Sequence, residues 1–149
     1  MESVLDVPPW QVVNLSTVER MPAFALNEAM WFLLSSLCIY HSVSFKDPAE
    51  RRKHVLLFFC AVCTGLANEH IFMYLPLVDN FWHAQATVML SARFPCYIMA
   101  VYSVILYYPS AFVWQFGLKW YLTPFLVGLF ACCFYWPFDV AGAKYLWWT

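Results

Sequence analysis

Ionisable and amide side chains are scarce in the long apolar stretches of this sequence, and those present are types that move protons or hold charge. The candidates for catalysis are Glu28, Glu69, His70 and Arg93. The candidates for binding a substrate or a partner are Asn27, Asn68, His83, Gln85 and Asp139. Carboxylates and imidazoles act as general acids and bases, and arginine stays protonated in proteins, so it can anchor negative charge. The set could carry proton transfer beside a fixed positive charge, could bind a substrate, or could simply hold helices together by polar contacts.

The same residues do not form a metal or cofactor motif. Glutamate, aspartate and histidine are ligand types for zinc and for two-metal sites. However, no Glu-x-x-His or His-x-x-x-His pair places two of them on one helical face, and there is no P-loop, GxSxG or dinucleotide-binding fingerprint. We therefore predict no metal site and no cofactor.

Composition indicates the environment of the chain. The 149 residues are 63% hydrophobic and 11% charged, whereas a soluble domain is about half apolar and about a quarter charged. So few charges could not cover the surface of a water-soluble domain. The net charge is −1, and no basic face is suited to nucleic acid. The composition favours a protein whose main partner is the lipid bilayer, with a lipid or isoprenoid ligand as a further candidate.

Four apolar stretches are long enough to cross the hydrocarbon core, which takes roughly 20 residues of helix. They run from about Pro22 to Phe45, His54 to Leu77, Trp82 to Tyr108 and Ala111 to Phe138. Backbone amides find no water in lipid, so each stretch is predicted to be a helix. The predicted fold class is all-α, with residues 1–149 forming one transmembrane bundle of about four helices.

Prolines mark the predicted connections. Asp47-Pro48 is typical of a turn between the first two helices, and Tyr108-Pro109-Ser110 is typical of a short connection between the last two. Pro95 and Pro124 fall inside the predicted helices and are expected to kink them.

Basic residues predict the orientation. The loop between the first two spans carries four of them: Lys46, Arg51, Arg52 and Lys53. The positive-inside tendency places this loop in the cytoplasm and both termini on the non-cytoplasmic side. His41 and His54 flank the loop, and we expect both to be solvated.

Alternating helix directions bring the candidate residues to one depth. Glu28 lies about two turns below the outer face of the first span, and Glu69 lies in the outer half of the second. Arg93 lies roughly 15 Å along the third span at the helical rise per residue, and Asp139 lies at the outer end of the fourth. We therefore predict a polar cluster in the outer half of the bundle, with Glu28 or Glu69 as the counter-ion of Arg93.

Three motifs resemble a family of multi-pass membrane proteins that contain a domain of unknown function. They are Trp82-His83-Ala84-Gln85-Ala86-Thr87, Trp136-Pro137-Phe138-Asp139 and the Trp147-Trp148 pair. This resemblance implies no activity, and the end of the sequence directly after the fourth span favours the amino-terminal part of a longer protein. The order of Glu69, Arg93 and Asp139 is also similar in pattern to bacterial carotenoid hydratases. That likeness implies acid chemistry on an isoprenoid substrate within the membrane.

Three functions fit these features. The first is an intramembrane enzyme for a lipid or isoprenoid substrate, with Glu69 or Glu28 as the acid–base group and Arg93 as the charge anchor. The second is a non-enzymatic subunit whose polar residues pack helices or bind a partner. The third is a transporter for a small solute or for protons. The residues alone leave all three open.

Overall fold

The computed structural model describes residues 13, 15–75, 82–91 and 93–148. In these ranges the helices are α1 (Ser16–Arg20), α2 (Pro22–Val43), α3 (Pro48–Tyr74), α4 (Tyr97–Trp114) and α5 (Thr123–Lys144). Within the same ranges, β structure is limited to three isolated bridges. The predicted all-α class is confirmed.

The four longer helices, α2 to α5, are each long and apolar enough to cross a membrane. Helix α4 is central, because most of its side chains are buried and it packs against α2, α3 and α5. Helix α5 packs mainly against α4, with Phe138 also 4.8 Å from Trp31 of α2 between ring centres, and it leaves most of its apolar side chains exposed. Exposed apolar surface of this extent fits a helix that faces lipid.

The starts of α2 and α3 follow the predicted punctuation. Pro22 lies in the first turn of α2, where its missing N–H group is not needed. The carboxylate of Asp47 accepts the backbone N–H groups of Ala49 at 3.2 Å and Glu50 at 3.4 Å. It thereby caps α3, whose first residue is Pro48. The predicted turn at Asp47-Pro48 is confirmed.

The third long helix begins later than the sequence predicts. The predicted span starts at about Trp82, but α4 starts at Tyr97, and the described residues between 82 and 96 are not helical. Pro95 accounts for part of the difference. A proline inside a helix removes a hydrogen bond and clashes with the carbonyl four residues earlier. The helical start at Trp82 and the kink at Pro95 are therefore wrong.

The backbone of residues 82–96, which we call the 82–96 segment, finds its partners outside a helix. The N–H of Ala84 donates to the carbonyl of Trp147 at 2.8 Å, and the N–H of Cys96 donates to the carbonyl of Val88 at 2.9 Å. Non-helical backbone at membrane depth is tolerated only where protein or a water-filled cavity surrounds it. Protein covers part of the segment, since Ala86 and Met89 are buried, whereas Trp82 and Leu90 are exposed.

The connection between the last two long helices also lies elsewhere. The sequence predicts it at Tyr108-Pro109-Ser110, but α4 continues through Pro109, and the connection is residues 115–122. The hydroxyl of Ser110 donates to the carbonyl of Leu106 at 2.7 Å. Hydroxyl groups and neighbouring helices satisfy backbone groups around a proline in a membrane helix, so the helix persists.

Because α4 continues past Pro109, the fourth long helix starts later than predicted. Helix α5 begins at Thr123 and not at about Ala111, so Pro124 lies in its first turn, where a proline is tolerated. The predicted kink at Pro124 is wrong. The proline inside this helix is Pro137.

Gly65 lets α3 and α4 approach each other closely. A Cβ atom built on Gly65 would lie 2.5 Å from the Cβ of Tyr102 on α4. Such a contact is too short for any side chain, so glycine is required at this distance. Small residues at a helix interface commonly permit this approach in membrane bundles. The contact also sets the position of the Tyr102 ring beside Glu69.

Candidate functional site

The carboxylate of Glu28 binds the 82–96 segment from α2, where Glu28 is only 3% exposed. The backbone N–H of Thr87 donates to both carboxylate oxygens, each at 3.0 Å. The hydroxyl of Thr87 donates to Oε2 at 2.7 Å. Burying a carboxylate is costly unless hydrogen bonds replace those of water. These bonds use both oxygens of Glu28 and fix the segment against α2.

Glu69 binds the same segment from α3. Its Oε2 lies 3.1 Å from Nε2 of His83, and an ionised carboxylate only accepts, so Nε2 carries the proton in this bond. Its Oε1 accepts the hydroxyl of Tyr102 at 3.0 Å, and the amide of Asn68 donates to that hydroxyl at 2.7 Å. The side chains of Glu69 and His83 are 9% and 2% exposed. A buried chain of hydrogen bonds thus joins α3, α4 and the segment.

Arg93 binds the end of α3. Its Nη1 donates to the carbonyl of Met73 at 2.8 Å, and its guanidinium carbon lies 3.7 Å from the centre of the Trp82 ring. Carbonyls in the last turn of a helix lack helical partners and carry partial negative charge, which a cation stabilises. Among the described residues, no ion pair joins Arg93 to Glu28 or Glu69. The predicted counter-ion is wrong because the non-helical segment places Arg93 beside the end of α3.

Two buried polar atoms near the carboxylates have no hydrogen-bond partner among the described residues. They are the hydroxyl of Tyr97 and Nδ2 of Asn27. Oδ1 of Asn27 does accept the indole N–H of Trp31 at 3.1 Å. Tyr97 is fully buried, within electrostatic range of both Glu28 and Glu69. A buried polar atom without a protein partner marks a position where a water or a polar ligand atom can bond.

The Trp147-Trp148 pair covers the segment from the end of α5. Besides the bond from Ala84 to Trp147, an isolated β-bridge joins His83 to Trp148. Trp148 is 5% exposed and lies against Gly142, where a side chain would collide with its ring. The aromatic motif that ends the sequence therefore packs over the residue that binds Glu69.

The remaining predicted residues lie at the edge of this network. Gln85 belongs to the 82–96 segment and is half-buried. His70 is exposed, and its Nδ1 donates to the carbonyl of Leu66 at 2.6 Å. Asp139 is exposed on α5, beside Tyr135. Within the described ranges, no three His, Cys, Asp or Glu side chains lie close enough to hold one metal ion.

Comparison with known protein families assigns the chain to one of them. A family model described as a domain of unknown function (DUF7802) matches residues 11–149. The chain belongs to the DUF7802 family. The predicted resemblance to a membrane-protein family with a domain of unknown function is thereby confirmed. No curated protein and no solved structure matches the DUF7802 chain, so its likeness to carotenoid hydratases stays a prediction.

Three residues of the DUF7802 site are missing from those predicted by the sequence: Thr87, Tyr97 and Tyr102. Thr87 ends one of the three motifs that carry the family resemblance, so the sequence did point to this residue. The two tyrosines lie in an apolar stretch, where tyrosine is usually interpreted as a packing residue. A buried tyrosine hydroxyl usually finds a partner, and this rule would have linked Tyr102 to the polar residues of α3. The catalytic roles of the predicted residues stay predictions.

Proposed function

We propose that this chain is a multi-pass integral membrane protein that carries out acid–base chemistry on a lipid or isoprenoid substrate. In this proposal Glu69 and His83 form the pair that transfers a proton to or from the substrate. One observation carries the proposal: the buried hydrogen bond of 3.1 Å between Oε2 of Glu69 and Nε2 of His83. A carboxylate that holds one ring nitrogen fixes the orientation and the tautomer of an imidazole. This arrangement suits a general acid or base.

The position of the pair on non-helical backbone also supports the proposal. Irregular segments at membrane depth are costly, and membrane proteins commonly use them where a substrate or an ion binds. His83 lies on such a segment, whereas Glu69 and Tyr102 lie on regular helices. Rigid helices then present the carboxylate and the phenol, and the segment presents the imidazole. The hydroxyl of Tyr97, which has no partner in the described part of the chain, supplies a further polar atom for a substrate.

Glu28 and Arg93 act in this proposal as positioning residues. Both oxygens of Glu28 already accept bonds from Thr87, and Arg93 bonds the end of α3. Each residue therefore holds one part of the 82–96 segment. Neither would touch the substrate directly.

Deuterium incorporation tests the proposed chemistry in a mixture of candidate substrates. The full chain is reconstituted with an isoprenoid and lipid extract in D₂O, and mass spectrometry follows deuterium at carbon atoms. Removing a general acid or base lowers rates by about 10²–10⁴-fold, so Glu69→Gln and His83→Gln should abolish incorporation. Glu19→Gln removes an exposed carboxylate from α1 and should leave it unchanged. Wild-type protein that incorporates no deuterium above an empty-membrane control would refute the enzyme.

A second candidate function is a non-enzymatic subunit whose polar residues only pack the bundle. The observation that favours it is the saturation of both carboxylates, since every oxygen of Glu28 and Glu69 accepts at least one bond. Glu69→Gln should then lower the stability of the protein with no turnover to lose. A transporter is the third alternative, and flux measurements on liposomes test it.

We also propose that both termini lie on the non-cytoplasmic side. Lys46 lies in the connection between α2 and α3, and three further basic residues lie in the first two turns of α3: Arg51, Arg52 and Lys53. Lys119 lies in the connection between α4 and α5. The chain crosses twice, through α3 and α4, between these two connections, so both lie on the same side. The positive-inside tendency makes that side cytoplasmic.

A further inference from the structure

A second polar cluster lies at the opposite end of the bundle, around the hydroxyl of Tyr107. Nδ1 of His41 lies 2.7 Å from this oxygen, and Nδ1 of His54 lies 3.1 Å from it. His54 is 6% exposed and stacks on Phe45 with ring centres 4.1 Å apart. The expectation that both histidines are solvated is therefore wrong for His54. Apolar packing around the ring and the phenol of Tyr107 replace water.

The single phenol proton makes the two histidines unequal. Tyr107 can donate to one Nδ1 only, so the other Nδ1 must carry a proton and donate to the phenol oxygen. In the neutral cluster, one imidazole therefore has an N–H at Nε2, and the other has a lone pair there. One added proton occupies that lone pair, so both imidazoles then have an N–H at Nε2 while the two bonds to the phenol oxygen stay as they are. Neither Nε2 has a hydrogen-bond partner among the described residues.

Both imidazoles line a cavity of about 360 Å³ at this end of the bundle. Glu50, Trp114 and Gln115 contribute to its other walls. Trp114 also lines a second cavity of about 410 Å³, whose other walls are mostly apolar and include Leu57 and Trp120. A polar cavity and an apolar cavity that share one aromatic wall match the head and the acyl chain of a lipid. Each has the volume of a typical ligand site, roughly 300–1,000 Å³.

The charge around the polar cavity is complementary to an anion. Lys46, Arg51 and Arg52 are exposed and are the sequence neighbours of the lining residues Phe45 and Glu50. The carboxylate of Glu50 is neutralised by Lys53, whose Nζ lies 2.6 Å from it. Basic clusters next to a membrane helix attract anionic lipids.

We propose that this end of the bundle binds a phospholipid with an anionic headgroup, and that binding takes up one proton into the His41–Tyr107–His54 cluster. The lipid phosphate accepts from the two Nε2–H groups, and the acyl chain lies along Trp114 and Leu57. Because the protonated cluster presents two donors and the neutral cluster presents only one, the anion favours the protonated state. This site lies apart from the Glu69–His83 pair and does not depend on the function proposed for it.

The titratable and charged groups that face the cluster come from each helix packed against it. They are Cys38 of α2, Glu50 and Lys53 of α3, and Tyr108 of α4. Imidazole, which is present in the cluster itself, is the side chain that ordinarily changes charge near neutral pH. A pH effect between about 5 and 8 is therefore assigned to the histidines.

Binding of short-chain phosphatidylglycerol to the detergent-solubilised full chain tests the proposal, because the charge of this phosphodiester is constant near neutral pH. Microscale thermophoresis should give a Kd that tightens as the pH falls, by at most about tenfold per pH unit for one proton. Phosphatidylcholine of the same chain length should bind at least tenfold more weakly. The headgroup alone, glycerophosphoglycerol, should also bind more weakly than the lipid, because it lacks the acyl chain.

Tyr107→Phe keeps the ring but removes the hydroxyl that joins the two imidazoles, and should abolish the pH dependence. Tyr40→Phe, at a tyrosine that is 70% exposed on α2, is the matched control and should bind as the wild type does. If Tyr107→Phe does not fold, His41→Gln at an exposed position gives the same loss of pH dependence. Equal binding of the two lipids, a wild-type Kd independent of pH, or equal binding of the headgroup alone would each overturn the proposal.

Discussion

Glu28 and Thr87 are 59 residues apart in sequence, yet the Thr87 N–H lies 3.0 Å from both oxygens of the Glu28 carboxylate. The Thr87 hydroxyl adds a third bond at 2.7 Å. One side chain of a regular helix thus holds the backbone of a segment that has no helix of its own. The bond satisfies an amide that lipid could not satisfy, and it compensates the buried charge at the same time.

This relationship predicts the cost of altering either partner. Hydrogen bonds to charged groups contribute about 1.5–3 kcal/mol to stability. Glu28→Gln replaces one accepting oxygen by a donor that faces the Thr87 N–H, so we expect a loss of that size. Thr87→Val removes only the hydroxyl and should cost less. Thermal unfolding in detergent measures both, with Glu19→Gln as the exposed control; equal melting temperatures for the Glu28 and Glu19 variants would contradict the anchoring role.

The presence of four long apolar helices was readable from sequence because it depends on local composition, although the starts of the last two were not. Pro22 and Asp47-Pro48 mark helix starts by local chemistry, and the structure has them there. The 82–96 segment was not readable, since its apolar composition equals that of a helix. Its conformation depends on distant partners: Glu28, Glu69 and the carbonyl of Trp147. Hydropathy contains no information about such long-range bonds.

The candidate site was predicted in part for the same reason. Helix direction alone brought Glu28 and Glu69 to one end of the bundle, and both bind the 82–96 segment. The pairing of Arg93 failed because it assumed a helical position for that residue. The bonds of Tyr102 depend on how closely α3 and α4 approach, which Gly65 determines.

Gly65 and Gly128 provide a matched test of that close approach. At Gly65 an added methyl group would collide with Tyr102, whereas at Gly128 it would meet nothing within 4 Å. Overpacking costs about 1–3 kcal/mol, so Gly65→Ala should lower stability and disturb the bond from Tyr102 to Glu69. Gly128→Ala should raise stability by about 0.5–1 kcal/mol, because alanine favours a helix. Unfolding by denaturant in detergent measures both changes, and a Gly65→Ala variant as stable as Gly128→Ala would refute the contact.

Cysteine labelling tests the proposed orientation. In a variant without the six native cysteines, Lys46→Cys lies in the connection between α2 and α3, and Lys144→Cys lies at the end of α5. A membrane-impermeant maleimide added to intact cells should label position 144 and not position 46. Permeabilised cells should label both. The reverse pattern in intact cells would show that the termini lie in the cytoplasm.

Cys96 offers a probe of the distance between Glu28 and the 82–96 segment. Burial raises the pKa of the Cys96 thiol, and the negative charge of Glu28 raises it further. Since the thiolate is the reactive form, Glu28→Gln should lower this pKa and move the pH profile of alkylation to lower pH. The pKa should stay above that of a free thiol, because burial is the larger cause of the rise. A variant whose only cysteine is Cys96 is alkylated with iodoacetamide across the alkaline range. The midpoint of the profile reports the pKa of the thiol. A looser segment would instead raise the alkylation rate at every pH alike and leave the midpoint in place. An unmoved midpoint would therefore place Glu28 away from this thiol.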